Sequence, residues 1–177
     1  MKKQKMFKLA KKFMLAAVFV GCFVFTACKE EDEFVDTDNV NSGSQLAYSF
    51  IYNGYSIDIG QKWSEVSGKL GDYNSTFVAE SCAYQGTDRY YYYDDFEIMT
   101  SEIDGEELLT DIFIEKENVE AAGGVCVGMS LADVAKKMGP ADKTTENGFV
   151  YYGGSVNVQI NTRDDKVVSI EYYYVQE

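Results

Sequence analysis

Four consecutive tyrosines, Tyr90, Tyr91, Tyr92 and Tyr93, are the densest chemistry in this sequence. A phenol joins a broad apolar ring to one hydrogen-bonding tip, which suits recognition of another protein better than bond making. Along an extended strand successive side chains alternate, so two rings fall on each face. One pair is expected in the core and the other on an open face. The acids Asp94, Asp95, Asp104, Glu106 and Glu107 cluster near expected turns. Paired carboxylates can cleave glycosides or hold calcium, but acids at turns read more simply as solvated hairpin loops. Cys82 and Cys126 lie on expected strands, and two readings are open. One is a disulfide that staples two parts of the chain; the other is a pair of buried thiols acting as small apolar residues. A catalytic thiol normally needs a His or other base beside it, and His is absent from the chain.

Composition removes several function classes. Without His there is no His-based nucleophile triad and no imidazole zinc site. The chain carries 16 Lys and Arg against 29 Asp and Glu, a net charge of -13. Such a surface repels phosphate backbones, so nucleic acid is not an expected partner. Aromatic residues make up 15% of the chain, too many for a disordered protein. No cofactor or metal site is read, and no enzyme is expected. The 177 residues allow one ordinary domain, or two very small ones, plus a leader.

The first residues have the composition of an address. Six lysines fall within Met1 to Lys12, and Phe13 to Thr26 is apolar and uncharged. A basic start, a short apolar run and a small residue before a break make an export signal. Fourteen apolar residues are short for a membrane span, which needs about 20. Phe25-Thr26-Ala27-Cys28 resembles the bacterial lipobox. The resemblance implies that Cys28 receives a lipid and becomes the mature N-terminus, with Phe25 where the family favours an aliphatic residue. Cys22 is a second candidate, but cleavage there leaves Phe23-Val24-Phe25 exposed. The expectation is thus a signal peptide over 1–27, a bacterial cell-envelope address, and membrane attachment through lipid on the extracytoplasmic side.

Residues 28–45 are acidic and polar, and like charges keep such a segment extended as a tether. Asp36, Asp38 and Asn41 fail the calcium-loop spacing, because Val40 stands where an oxygen ligand belongs. Beyond the tether the sequence repeats at an offset of 68 residues. Ile57 to Gly71 aligns without gaps on Val125 to Gly139, with Gly60/Gly128, Val66/Val134, Lys69/Lys137 and Gly71/Gly139 identical. Each segment runs from a glycine into a helical stripe: Trp63, Val66, Leu70 in one, Leu131, Val134, Met138 in the other. Ser130 and Asp133 suit a helix start, and Gly71 and Gly139 suit helix ends.

Alternating runs then predict strands. In the second copy they span 149–152, 155–162 and 167–175. In the first they span 81–85, 89–93, 96–103 and 108–115, with about ten extra residues around Thr87 to Asp95. Leu46 to Tyr52 followed by Asn53-Gly54 suggests a further strand or hairpin. The expected fold class is α+β, two tandem helix-plus-antiparallel-sheet repeats over 46–120 and 121–177. By alternation Glu97, Met99, Asp111, Phe113, Glu171, Tyr173, Asn157 and Gln159 point away from the helices. A face of Tyr, Phe, Met, amides and acids resembles a wet recognition surface. The competing reading is that tyrosine is simply a good strand former, or that two sheets pack face to face.

Val127-Gly128-Met129-Ser130, Val134 and Met138-Gly139-Pro140 resemble the motif of small BamE/SmpA-like envelope lipoproteins. The tandem arrangement resembles the β-lactamase-inhibitor-protein-like fold. The resemblance implies binding of other proteins through exposed sheet and loop faces. It leads to a lipid-anchored, non-catalytic binding or scaffold module, with Tyr90, Tyr91, Tyr92, Tyr93, Phe113 and Tyr173 as contact residues and a protein partner of unknown identity. Two alternatives stand beside it. One is an inhibitor of an extracellular enzyme, using the residues around Thr87 to Asp95; the other is a carboxylate-based hydrolase of envelope glycans.

Overall fold

The computed structural model describes residues 48–175. The expected signal peptide, the lipidation site Cys28 and the acidic tether lie outside the described residues. Among the described residues, no helix is long and apolar enough to cross a membrane.

The chain is mostly β. A two-stranded hairpin, β1 (Phe50–Tyr52) and β2 (Tyr55–Ile57), precedes helix α1 (Trp63–Leu70). Four strands follow: β3 (Ser75–Glu80), β4 (Thr87–Tyr92), β5 (Phe96–Ile103) and β6 (Glu106–Ile114). A 3₁₀ turn at Ala122–Gly124 leads to α2 (Leu131–Met138). The last strands are β7 (Lys143–Thr145), β8 (Gly148–Tyr152), β9 (Val156–Arg163) and β10 (Lys166–Tyr174). Strands β3 to β10 form one antiparallel sheet in the order β3-β4-β5-β6-β10-β9-β8-β7.

This sheet corrects the expected fold class. The chain is not two tandem helix-plus-sheet repeats but a predominantly β structure built on a single eight-stranded sheet. The join is β6 against β10, with Ile114 opposite Ile170 and Ile112 opposite Tyr172. The physical reason lies in those two strands. Each is nine residues long and carries fully buried residues. Left as separate ribbons, they would expose two long apolar edges. Pairing removes both edges and pools the apolar side chains in one cluster, which draws Val66, Ile98 and Ile112 together with Val134, Val158 and Ile170.

The aligned glycine segments share local geometry. Gly60 donates to the Leu109 carbonyl at 2.7 Å, and Gly128 donates to the Val167 carbonyl at 2.8 Å. Each lays the start of its helix against the sheet. α2 is capped as its sequence requires: Ser130 Oγ accepts from the Asp133 amide at 3.2 Å, and Gly139 ends the helix at φ 75°. α1 starts on Lys62, which has no capping side chain. Packing of Trp63, Val66 and Leu70 on the sheet holds it instead. Asn53 and Gly54 both have positive φ and close the β1–β2 hairpin.

Candidate functional site

The two helices and the β1–β2 hairpin supply core residues to one side of the sheet. Strand alternation then settles the tyrosine run. Tyr91 faces the helices, is 4% exposed, and stacks on Trp63 at 4.1 Å between ring centroids. Its hydroxyl donates to Glu107 at 2.8 Å. Tyr93 follows β4 and stacks on Phe96 at 4.7 Å. Its hydroxyl is buried without a hydrogen-bond partner, and burial pushes its pKa up to about 12. Tyr91 and Tyr93 therefore belong to the core side and offer a partner little. Tyr90 and Tyr92 lie on the opposite, open face and are half-buried.

Sheet register aligns the open-face residues in rows. One row runs Phe77, Tyr90, Met99, Asp111, Tyr173, Asn157, Tyr152 across seven strands. The next runs Ser75, Tyr92, Glu97, Phe113, Glu171, Gln159. The first row ends in exposed rings, Phe77 at 57% and Tyr152 at 46%. The β3–β5 side is aromatic, with Phe77 and Tyr90 at 6.0 Å. The β9–β10 side is polar and internally bonded: Asn157 donates to Tyr173 Oη at 3.2 Å, Gln159 to Asn161 at 2.7 Å, and Asn161 to Ser169 at 3.0 Å. Beyond Asn161 and Ser169 a polar hollow of about 740 Å³ opens beside Glu115 and Arg163.

Carboxylates occupy the middle of this face. Asp111, Glu171 and Glu97 converge there from β6, β10 and β5. Burial, then the charge and hydrogen bond of Glu171, then Glu97, raise the Asp111 pKa to about 8. At neutral pH Asp111 therefore keeps its proton and donates a hydrogen bond to Glu171. Burial and the charge of Glu115 also raise Glu97. Directly bonded carboxyl groups are closer than the about 5 Å or more that glycoside hydrolysis uses. The described residues contain no group of acids and cysteines arranged to hold a metal.

The remaining sequence candidates are placed as follows. Phe113 and Tyr173 are half-buried members of the open face. Four of the five acids expected near turns are engaged structurally: Asp94 accepts from Asn74, Asp95 from Asn118, Glu106 pairs with Lys62, and Glu107 accepts from Tyr91 and Thr100, while Asp104 takes a positive φ in the β5–β6 turn. The residues around Thr87 to Asp95 form β4 inside the sheet rather than a projecting loop. Cys82 is an exposed free thiol in the turn between β3 and β4, not on a strand. Cys126 is 2% exposed among the buried apolar residues and has no bond to Cys82, so the bridge between them is not formed. The Asp111–Glu171 contact itself was missed as a pair, although alternation placed both residues on the open face.

No protein-family profile matches the chain, and no curated protein matches it. Among solved structures it is similar to a cysteine-rich secretory protein from Staphylococcus aureus subsp. aureus Mu50, at 11% identity and a TM-score of 0.45. The similarity covers 66% of this chain and 43% of that one, so the chain spans less than half the length of that structure.

Proposed function

We propose that this chain is a non-catalytic protein-binding module that works through the open face of its sheet. The observation that supports the reading is the row Phe77, Tyr90, Met99, Asp111, Tyr173, Asn157, Tyr152, to which four rings, an amide and an acid contribute side by side. Rings supply contact area at low entropic cost, amides supply adaptable hydrogen bonds, and carboxyls favour a partner with basic groups. The basic and apolar leader and the lipobox-like Cys28 support an address in a bacterial cell envelope, with attachment by lipid and the acidic tether as spacer. Pull-down of the full chain from envelope extract, with mass-spectrometric identification, tests this. A partner kept by the wild type and by Lys136→Ala on α2, and lost on Tyr92→Ala with Phe113→Ala, is the expected result. Equal capture by all three chains overturns it.

A further inference from the structure

The sheet has two ends, and they are built differently. At one end β7 is three residues long and begins with Lys143, a short charged edge of the kind that discourages pairing. At the other end β3 reads Ser-Thr-Phe-Val-Ala-Glu, with every residue but Ala79 exposed. It pairs with β4 over six consecutive positions, from Ser75 opposite Tyr92 to Glu80 opposite Thr87, without a bulge. It contains no proline and no lysine. Phe77 is 57% exposed on one face and Val78 46% exposed on the other. Among the described residues no strand pairs with its outer side.

The direction of its backbone groups follows from register. Ser81 donates to the Gly86 carbonyl at 3.0 Å, continuing the β3–β4 ladder. Amide and carbonyl groups alternate in direction along a strand. Ser75, Phe77 and Ala79 therefore bond inward to β4, and Thr76, Val78 and Glu80 present their amides and carbonyls outward.

From this geometry we infer that β3 is a homodimer edge: two copies pair β3 against β3 in antiparallel fashion about a two-fold axis at Val78, giving one continuous sheet. The strand is complementary to itself in this register. Val78 meets the partner's Val78, and Thr76 and Glu80 exchange places, so all outward backbone groups are used. The Thr76 hydroxyl stands opposite the partner's Glu80 carboxylate and can donate to it. On the other face the large Phe77 ring lies opposite the small side chain of the partner's Ala79. No like charges stand opposite one another, which matters for a chain of net charge -13. A closed two-fold contact of this kind uses up the edge and ends assembly at two copies. The proposal stands apart from the open-face binding role, since it uses the strand edge and holds whether or not that face has a partner.

The test is sedimentation equilibrium of the full chain in detergent, with two variants. Val78→Pro removes an outward amide that the monomer does not use, and proline is tolerated at such an edge position. Val78→Cys in a Cys82→Ser background places two thiols across the axis. Directly opposed residues in a bonded antiparallel pair lie about 5.5 Å apart at Cα, within disulfide range. The expected results are a species of twice the 19.9 kDa chain mass, a Val78→Pro variant that keeps the wild-type circular dichroism but is monomeric, and rapid oxidation of the Val78→Cys variant to a covalent dimer. Ser75→Cys in the same background serves as the off-axis control and should cross-link poorly. A wild type that stays monomeric at all concentrations overturns the proposal. So does a dimer unaffected by Val78→Pro, or equal cross-linking at positions 75 and 78.

Discussion

Replacing Asp111 with Asn should make the protein more stable in alkaline solution and leave it unchanged in acid. Burial and the neighbouring acids raise Asp111 from 3.8 to about 8. The folded chain therefore keeps a proton that the unfolded chain releases above about pH 4. Folded stability falls as pH rises through that window, by at most about 1.4 kcal/mol per pH unit. Below about pH 4 both states hold the proton, and above about 8 both have released it, so the difference is confined between these limits. The full slope over pH 5 to 7 would be about 3 kcal/mol. Partial solvent contact and relaxation around the site reduce this to about 1–2 kcal/mol. An Asn side chain has nearly the same shape and still donates to Glu171, but it does not titrate. Urea denaturation at pH 4.5, 6, 7 and 8, followed by fluorescence of the single tryptophan, Trp63, measures the difference between the two chains. The Asp111→Asn advantage should grow from near zero at pH 4.5 to about 2 kcal/mol at pH 8. A difference independent of pH, or a variant less stable at pH 8, refutes the carboxyl–carboxylate contact.

Other substitutions give effects of opposite sign from similar chemistry. Tyr172 Oη accepts from the Ala122 amide at 2.5 Å, so Tyr172→Phe leaves a half-buried donor without its partner and should cost about 1–2 kcal/mol in thermal or urea unfolding. Tyr93→Phe removes a hydroxyl that has no partner and should be neutral or stabilising by up to about 1 kcal/mol in the same assay. Gly148 has φ 154°, and a Cβ there would lie 1.9 Å from the Ile160 carbonyl oxygen. Gly148→Ala must displace β8 from β9, and a loss of about 3 kcal/mol or more is expected by urea titration. Cys82 should react with a thiol reagent in the native chain, with the adduct mapped to the peptide containing Cys82, whereas buried Cys126 should not.

The helices were legible because their cues are local. A stripe at Trp63, Val66 and Leu70, and a Ser130 cap followed by Gly139, depend on neighbours within one or two turns. The face of the central strands was legible for the same reason, since alternation alone sends Asp111 and Glu171 to one side. What was not legible depends on pairing at long range. Nothing local in Ile112 or Tyr172 says that β6 meets β10 and fuses the sheet. The repeat alignment also misled near Ser81 to Gln85. It set an expected strand at 81–85 against the one at 149–152, but residues 81–85 form the turn between β3 and β4. That match hid β3, whose Thr76, Phe77 and Val78 are good strand formers, and made β4 look like an insertion. Bulges at Met99/Thr100 and Val167/Ser169 shift register within β5–β6 and β9–β10, which alternation cannot foresee. The Asp111–Glu171 contact was hidden because the two acids are 60 positions apart and meet through the β6–β10 pairing.

Site-specific photo-crosslinking in intact cells tests the recognition face most directly. A photoreactive side chain replaces Tyr92 or Phe113 on the open face, and Ser64 or Lys136 on the exposed sides of the helices. The account predicts a discrete protein adduct from the first two positions and none from the others. Adducts from Ser64 and Lys136, with Tyr92 and Phe113 silent, would place recognition on the helical side and contradict it.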